Sequence, residues 1–426
     1  MRRATCRTAF AFTLIALFST FVYAQKLSAE EQRIIDYVEA HMGEAISTLE
    51  SVVNIESPSE DIAGVKQVGM VFKRELELLG LTAKWIDMPA EMKRAGHLIA
   101  ATQGTKGKRV LLLGHIDTVL RGEKFRREGN KAFGTGSGDM KAGDVVLLYA
   151  LKALKSAGAL KDTRITVMLT GDEESVGRPI EIARRDMLAA AKESDLALSF
   201  EGTVGNTATV GRRGSSNWTL EVEARTGHSA GIFGQSMGSG AIFEAARIVN
   251  QFYETLHNEK YLTFNPSVIV GGTEATLDGP AGTATGKTNV VAAKVFVRGD
   301  LRFISEEQKE AARAKMREIV ARSLPRASSK ITFDDGYPAM TPSDGNYALL
   351  RVMDQVSQDL GFGKIEALDP GARGAGDIAF VSHLIPGLDG IGASGGGAHA
   401  PGESVDLGSL PKLTKKAAVL IYRLTR

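Results

Sequence analysis

Two residues that could do chemistry stand at the end of an apolar run. The stretch VLLLGHIDTVL, residues 110–120, leads through Gly114 into His115 and Asp117. Side chains of a strand alternate between its faces with a period of two, so His115 and Asp117 point to the same side. Open α/β sheets bind their ligands at this carboxyl end of the strands. The pattern predicts a site here, and a turn with a surface histidine and a capping aspartate is the alternative.

Four further stretches place metal-ligand residue types after an apolar strand or in a glycine-rich turn. GTGSGDMKAG sets Asp139 in a turn that opens a helix, and TVMLTGDEES ends a strand with Glu173 and Glu174. LALSFEG ends another strand with Glu201, and GASGGGAHAPGES presents His399 after three glycines. Each stretch alone has an ordinary explanation, as a turn residue, a solvated acidic pair or a loop histidine.

Together with His115, these stretches supply two imidazoles and at least three carboxylates at strand ends. This donor set suits two zinc ions that share a bridging carboxylate. The ordinary explanations would require five separate coincidences in one chain, so the combination favours a dinuclear metal site. The same donors also accept cobalt or manganese.

Length and composition describe a globular protein of more than one domain. The chain has 426 residues, whereas a single hydrophobic core stops growing near ~250 to 300 residues. Hydrophobic residues make up 43%, charged residues 24%, and the formal net charge is +2. This balance contains no basic excess of the kind that nucleic-acid binding requires.

Residues 1–24 are typical of a cleaved export signal. Three arginines precede the apolar run AFAFTLIALFSTFVYA, which ends in small residues, so the mature chain is expected to begin at Gln25. A retained membrane anchor is the alternative, although the run is shorter than the ~20 residues needed to span a bilayer. Cys6 is the only cysteine, so the mature chain has neither disulfides nor a catalytic thiol. We expect a periplasmic or secreted protein without membrane attachment.

Strands alternate with helices over residues 25–213, the first part of a predicted catalytic domain. Ser28 and Glu31 have capping-box spacing at the start of an amphipathic helix. The strand-like runs are TAKWIDM, HLIAAT, RVLLLGH, RITVMLT and DLALSF. This alternation predicts an α/β sheet covered on both faces. Residues 335–426 resume the pattern with two helices and a strand-like LDGIGAS, and form the second part of the same domain.

Residues 214–334 follow a different pattern and are predicted to form an inserted domain. Their strand and helix signals come in the order β-α-β-β-α-β, which is the ferredoxin-like arrangement. Glycine-rich segments at both junctions are possible hinges for lid closure.

Six motifs in one order make the family recognisable. GHIDTV, GTGSGDMKAG, GDEESVG, FEG, GHSA and GGGAHAPGE resemble the co-catalytic zinc exopeptidase family that includes bacterial glutamate carboxypeptidase, aminoacylase and succinyl-diaminopimelate desuccinylase. The resemblance implies an α/β, phosphorylase/hydrolase-like sandwich with a ferredoxin-like α+β lid or dimerisation domain inserted. It also implies hydrolysis of the C-terminal amide bond of a peptidyl or N-acyl amino acid, as in glutamate carboxypeptidase. A dipeptidase, tripeptidase or N-acyl-amino-acid deacylase with the same metal site is the alternative.

The resemblance implies two zinc ions per subunit. His115, Asp139 and Glu201 would bind one ion, and Asp139, Glu174 and His399 the other, with Asp139 as the bridge. A hydroxide shared between two metals ~3.5 to 4 Å apart would then attack the amide. A metal-binding or peptide-binding protein without turnover would need a broken ligand set or a missing base, and the sequence shows neither.

Family resemblance also implies roles for the neighbours of these ligands. Glu173 matches the general base, which takes the proton of the water and later passes it to the leaving amine. An extended backbone would let Glu173 and Glu174 diverge towards substrate and metal. Asp117 would hydrogen-bond the free nitrogen of the His115 ring and fix its tautomer.

Three residues of the inserted domain match family positions at the substrate. His228, in TGHSA, matches a histidine that stabilises the oxyanion and that comes from the partner subunit in dimeric relatives, so we expect a homodimer. Its alternative is an exposed loop histidine. Asn289 and Arg302, in TNVVAAKVFVRGDLRF, match substrate-binding positions, and Arg302 could clamp a carboxylate. An ordinary strand pair with Asp300 is the alternative for Arg302.

One segment departs from the glutamate carboxypeptidase pattern. Where those enzymes carry a Gly-Gly-Gly-Thr-Asp run, this chain has ARGAGD, with Arg373 four residues before Asp377. A hydroxyl donor is lost and a cation is gained, so an acidic substrate group is still expected but strict glutamate specificity is not. The expected partner is thus a small peptide or N-acyl amino acid.

Overall fold

The apolar strand runs of the sequence assemble into a central six-stranded sheet. This computed structural model describes residues 27–426, so the predicted signal segment and Cys6 lie outside the described residues. Within that range, no helix combines the length and the apolar character needed to cross a membrane.

Helices and strands alternate along most of the described chain. The helices are α1 (Ala29–Val53), α2 (Ile62–Leu78), α3 (Ala142–Ser156), α4 (Ile180–Ala183), α5 (Arg185–Lys192), α6 (Gly240–Leu256), α7 (Glu306–Ala321), α8 (Asp344–Asp359), α9 (Ile378–Val381) and α10 (Leu410–Leu424). The strands are β1 (Thr82–Asp87), β2 (Gly96–Ala101), β3 (Lys106–His115), β4 (Arg126–Glu128), β5 (Lys131–Phe133), β6 (Thr163–Thr170), β7 (Leu196–Ser199), β8 (Thr207–Ala208), β9 (Gly214–Ala224), β10 (Thr263–Gly272), β11 (Glu274–Asp278), β12 (Ala281–Thr285), β13 (Lys294–Phe303), β14 (Ala327–Asp335), β15 (Glu366–Ala367), β16 (Gly387–Leu388), β17 (Gly395–Gly396) and β18 (Ser404–Asp406).

The central sheet has the order β1-β2-β6-β3-β7-β16. Strands β6, β3, β7 and β16 run parallel, and β1 and β2 form an antiparallel edge. Helices α1, α3, α8 and α10 pack on one face of the sheet, and α5 and α9 pack on the other. Because both faces are covered, residues 110–115 of β3 are all buried, as the continuous apolar run predicts.

The predicted capping box starts α1. The Ser28 hydroxyl accepts from the Glu31 N–H at 3.1 Å, and the Glu31 carboxylate accepts from the Ser28 N–H at 2.7 Å. Both bonds satisfy donors that a helix start leaves without partners.

The segment predicted to be an inserted domain contains β9, α6, β10, β13, α7 and β14, in the predicted β-α-β-β-α-β order. Its antiparallel sheet has the order β10-β13-β9-β14, and α6 and α7 bury one face of that sheet around Trp218. A further hairpin, β11 and β12, separates β10 from β13 and was not predicted. Alternate residues of β13 are buried, which leaves Arg302 on the open face of the sheet.

The predicted strand LDGIGAS is much shorter in the structure. Only Gly387–Leu388 pairs with β7. At Asp389 the backbone bonds to another segment, since the Asp389 N–H donates to the Thr209 carbonyl, and the Ile391 N–H then donates to the carbonyl of Ser199 at the end of β7. The remainder is therefore a loop that passes beside the end of β7.

Candidate metal centre

The carboxyl ends of three neighbouring strands gather the predicted ligands. His115 is the last residue of β3, Glu174 follows the end of β6, and Glu201 follows the end of β7. Asp139 arrives from the glycine-rich turn before α3, and His399 from the loop between β17 and β18. The structure thus brings together all five residues that the resemblance implied as ligands.

Asp139 lies between the two histidines. Its Oδ1 atom is 3.3 Å from Nε2 of His115, and its Oδ2 atom is 3.2 Å from Nε2 of His399. Nε2 of His399 is also 3.1 Å from Oε2 of Glu174, and Nε2 of His115 is 3.7 Å from Oε1 of Glu201. One carboxylate oxygen towards each histidine is the arrangement that a bridging ligand requires.

Two groups of donor atoms share Asp139. His115, Asp139 and Glu201 form one group, and Asp139, Glu174 and His399 form the other, with the donor atoms of each group within 4.8 Å of one another. A third combination of His115, Glu173 and Glu174 also meets this distance. Imidazole nitrogens and carboxylate oxygens are donors that zinc accepts, so these residues fit a pair of metal ions.

Burial strongly affects the ionisation of this cluster. It raises the pKa of Glu201 to about 7, although the positive charge of Arg212 opposes the shift, and it also raises the pKa of Glu174. Hydrogen bonds to Asp139 and Glu174 raise the pKa of His399 to about 10. Buried carboxylates that face one another favour a cation between them, because the cation stabilises their ionised forms.

Asp117 contacts more groups than the sequence predicted. Its Oδ1 atom accepts from the Glu173 N–H at 3.0 Å and is 3.4 Å from Nδ1 of His115, whereas the backbone carbonyl oxygen of Asp117 is nearer to that nitrogen, at 3.2 Å. Its Oδ2 atom accepts from the Glu174 N–H at 3.0 Å and from the Ser59 hydroxyl at 2.7 Å. One carboxylate therefore contacts the His115 ring and holds the backbone of the glutamate pair.

The glutamate pair does not lie on an extended backbone, contrary to the prediction. Strand β6 ends at Thr170, and residues 173–175 form a bend and a turn. The two side chains still diverge, because Glu174 contacts His399 while Oε2 of Glu173 is 4.0 Å from Nε2 of His115. Burial raises the pKa of Glu173 well above its ordinary value, as suits a carboxylate that must accept a proton near neutral pH.

Glu403 is a residue that the sequence interpretation missed. Its carboxylate accepts from the N–H groups of Gly136, Gly138 and Asp139, each at 2.8 Å. It stands four residues after His399, whose backbone is left-handed with φ of 63°. Such a conformation is uncommon for a residue other than glycine. Glu403 therefore links the loops that carry two of the candidate ligands, and its place in GGGAHAPGE was the available signal.

A pocket of about 310 Å³ opens beside the ligands and is lined by Arg212 and Arg373. Arg212 is engaged, since it pairs with Asp389 at 2.8 Å and donates to the Gly374 carbonyl at 2.8 Å. Arg373 lies 3.9 Å from Glu201, and its Nε atom is buried without a hydrogen-bond partner among the described residues. Two guanidinium groups thus border the pocket, and Arg373 is the less engaged of them.

Gly376, in the departing ARGAGD segment, lies directly against the guanidinium of Arg212. A Cβ atom at Gly376 would lie 2.2 Å from Nη1 of Arg212. The close approach of this loop to Arg212 therefore depends on the missing side chain.

His228, Asn289 and Arg302 are not among the residues that line this pocket. His228 is exposed, and its Nδ1 atom accepts from the Ala230 N–H at 3.1 Å. Asn289 is exposed beside it, and Arg302 pairs with Asp300 at 2.9 Å, which is the alternative that the sequence left open. Within one chain, these three residues are separate from the candidate metal ligands.

With the fold and the donor set in place, comparison with known proteins identifies the family. The pattern of the peptidase family M20/M25/M40 matches residues 111–423, so the chain belongs to this family of metallopeptidases. Carboxypeptidase G2 of Pseudomonas sp. (strain RS-16) is 28% identical over 441 aligned residues, which cover 100% of this chain and 99% of the relative.

Two further similarities extend the comparison. A succinyl-diaminopimelate desuccinylase of Gluconobacter oxydans is 26% identical over 320 residues, which cover 71% of this chain and 78% of the relative. The solved structure of aminopeptidase PepT from Bacillus cereus superposes with a TM-score of 0.73 at 18% identity, over 90% of this chain and 99% of that one. The predicted family, fold class and hydrolase activity are confirmed.

Proposed function

We propose that the protein is a dinuclear metal-dependent exopeptidase that hydrolyses the C-terminal amide bond of small peptidyl or N-acyl amino acids, in the manner of a glutamate carboxypeptidase. The observation that carries this proposal is the position of Arg373 in the pocket beside the ligand cluster. An exopeptidase must recognise a free chain end, and a guanidinium recognises a carboxylate.

The charges of the pocket favour a carboxypeptidase over an aminopeptidase. Its four carboxylates, those of Asp139, Glu173, Glu174 and Glu201, are all assigned to metal binding or proton transfer, so none is left for a substrate ammonium group. Arg373 is then the available partner for a substrate group. Because Glu201 would be neutralised by a bound metal ion, its hold on Arg373 would weaken and the guanidinium would turn to the substrate carboxylate.

The five candidate ligands would hold two zinc ions, for which cobalt or manganese could substitute. Bound there, the ions would acidify a water molecule and polarise the scissile carbonyl. Glu173 would accept the proton of that water and deliver it to the leaving amine. Asp117 would keep His115 in the required tautomer.

A second copy of the chain is part of the proposal. His228 and Asn289 lie on one exposed rim of the inserted domain, where the Ser229 N–H donates to the Asn289 carbonyl at 2.9 Å. A homodimer through this domain would carry both residues into the partner's pocket, where His228 would stabilise the oxyanion. The exposed apolar side chains of Phe233 and Phe243 nearby support such an interface.

The protein is also proposed to be exported. The arginine-flanked apolar segment within residues 1–24 supports this assignment. Cleavage after Ala24 would release the mature enzyme to the periplasm or the medium, where the absence of cysteine from Gln25 onwards suits an oxidising environment.

The deciding experiment measures free amino acid released by the chain from Gln25 onwards. Substrates ending in glutamate, aspartate or a neutral residue, as N-acyl amino acids and as dipeptides, are tested with and without added zinc. Zinc-dependent release from N-acyl and peptidyl substrates, strongest for acidic ends, is expected. Release that requires a free N-terminal amine would make the enzyme a dipeptidase or tripeptidase, and release from neutral N-acyl substrates alone would make it a deacylase.

A further inference from the structure

The backbone of Glu173 is held at both ends. Its N–H donates to Oδ1 of Asp117 at 3.0 Å, and its carbonyl oxygen accepts from the hydroxyl of Tyr337. Tyr337 is 164 residues away in the sequence. Neither contact involves the side chain of a candidate metal ligand, and together they hold the two peptide units on either side of the candidate base.

Tyr337 stands where the chain returns from the inserted domain. Its carbonyl accepts from the Ser215 N–H at 2.8 Å, and its N–H donates to the Ser215 hydroxyl at 3.3 Å. Ser215 lies at the start of β9, directly after the chain enters the inserted segment. The two chain segments that lead into and out of the inserted segment therefore contact each other at Tyr337.

A second contact joins the same loop to the inserted domain. Nη1 of Arg178, four residues beyond Glu174, donates to the Asp335 carbonyl at 2.9 Å and lies 3.4 Å from Oδ1 of Asp334. Both partners are at the end of β14. The loop that carries the glutamate pair is thus bonded to the return segment at two points.

The ring of Tyr337 is fixed by packing. It contacts Phe380 with ring centroids 5.0 Å apart, and Phe380 lies 5.1 Å from the guanidinium of Arg184. Arg184 is fully buried and pairs with Asp172 at 2.6 Å and with Asp377 at 2.9 Å. A hydroxyl on a ring held in this way has a fixed position, so it can define the position of the carbonyl that it bonds.

We propose that Tyr337 is a positioning residue for the general base: its hydroxyl fixes the carbonyl of Glu173 and, with Arg178, couples the base-bearing loop to the inserted domain. The inference rests on the proposed function, because it takes Glu173 as the base. Proton transfer depends steeply on placement, and a shift of about 1 Å can cost about 10²-fold in rate. Freeing the carbonyl of Glu173 should therefore slow the chemical step without weakening substrate binding.

Tyr337→Phe keeps the ring and removes only the hydroxyl. In the full mature enzyme with zinc, we expect kcat to fall about tenfold or more while KM stays within about twofold. Metal stoichiometry and melting temperature should match the wild type. Tyr347→Phe, on the exposed side of α8, is the matched control and should leave kcat unchanged.

A double-variant cycle separates positioning from a structural role. In a Glu173→Gln background the base is absent, so adding Tyr337→Phe should change kcat by less than about twofold. Arg178→Gln, which removes the second contact, should give a smaller loss of kcat than Tyr337→Phe.

Four results would overturn the inference. If the wild-type enzyme is active and Tyr337→Phe leaves kcat unchanged, the positioning role of Tyr337 is refuted while the proposed function stands. A loss of the same size in the Glu173→Gln background shows that the effect does not pass through the base, and a change confined to KM assigns the hydroxyl to the substrate. A wild-type chain that hydrolyses none of the substrates with zinc overturns the proposed function and this inference together.

Discussion

Replacing Asp117 by asparagine tests whether one carboxylate organises both the histidine ligand and the glutamate pair. Asp117 is 0% exposed. Its oxygens accept from the N–H groups of Glu173 and Glu174 and from the Ser59 hydroxyl, and face Nδ1 of His115 at 3.4 Å. Asparagine has nearly the same shape but offers one acceptor oxygen instead of two. The amide NH₂ group must therefore face at least one of the groups that now donate to the carboxylate.

The less costly orientation turns the new amide NH₂ towards Ser59. The Ser59 hydroxyl can rotate and accept from it, so only the Glu174 N–H loses its acceptor. Losing a charge-assisted hydrogen bond and leaving a buried donor unpaired costs about 2 to 3 kcal/mol. If this free energy is lost from the arrangement that stabilises the transition state, kcat/KM falls by about 30- to 150-fold. Zinc affinity is expected to fall by about 10- to 100-fold, as is usual when a partner of a ligand is lost.

Two measurements check this prediction. Zinc affinity is obtained by competition with a chromophoric chelator, and kcat/KM is measured at saturating zinc. Ser59→Ala removes a single neutral donor from the same carboxylate, so we expect less than about a fivefold effect on either quantity. An Asp117→Asn enzyme within threefold of wild type in both quantities would refute the reasoning, and so would a Ser59→Ala variant that is equally impaired.

Three other predictions follow from the site and from the core beneath it. Glu173→Gln should lower kcat by about 10²- to 10⁴-fold while metal analysis still finds the wild-type zinc content; a loss of zinc would reassign Glu173 as a ligand. Arg373→Met should raise KM about tenfold or more for substrates with a C-terminal carboxylate and leave the corresponding carboxamides unaffected, whereas equal changes for both substrates would contradict the carboxylate clamp. Lys416 is 1% exposed, its Nζ atom has no hydrogen-bond partner among the described residues, and burial lowers its pKa from 10.5 to about 8. Between pH 8 and 10.5 the folded state therefore binds fewer protons than the unfolded state, so stability should rise with pH across that window. Lys416→Met should reduce the rise, leaving the part that comes from Lys141, whose pKa burial also lowers to about 8, and should stabilise the protein at pH 7 by about 3 kcal/mol; urea unfolding at pH 7 and pH 10 measures both, and an unaltered pH dependence would count against the unpaired lysine.

The cluster of candidate ligands was predictable because each of these residues follows a local pattern. His115 ends a buried apolar strand, and Glu174 and Glu201 follow two more such strands. Parallel strands of one sheet bring their carboxyl ends to the same edge, so local patterns were enough to predict the convergence. The pairing of Arg302 could not be decided in this way, because a strand places Asp300 and Arg302 on one face whether or not a substrate comes between them.

The contacts that the sequence did not predict are long-range bonds to backbone groups. Tyr337 reaches the Glu173 carbonyl across 164 residues, and Glu403 reaches the Asp139 N–H across 264 residues. A backbone acceptor or donor is present at nearly every position, so such a bond leaves no complementary residue type to look for. The hairpin β11 and β12 differs from these cases, because Gly279, with φ of 52°, is the first residue of its two-residue turn, a position where hairpin turns commonly carry glycine, and could have been recognised.

Three acidic residues that lie near the candidate ligands, without being candidate ligands themselves, accept hydrogen bonds from backbone N–H groups of loops. Asp117 accepts from two N–H groups of the glutamate-pair loop, Asp172 accepts from the Gly177 N–H at 2.9 Å, and Glu403 accepts from three N–H groups of the Asp139 loop. Ordering a loop residue costs about 1 to 2 kcal/mol in backbone entropy, and these bonds offset that cost before any metal binds. The hydrogen bonds also offset the desolvation of the carboxylates, which would otherwise disfavour their burial. The candidate donor atoms are therefore positioned by the polypeptide, and the binding energy of metal ions held there would be available for neutralising the cluster rather than for folding its loops.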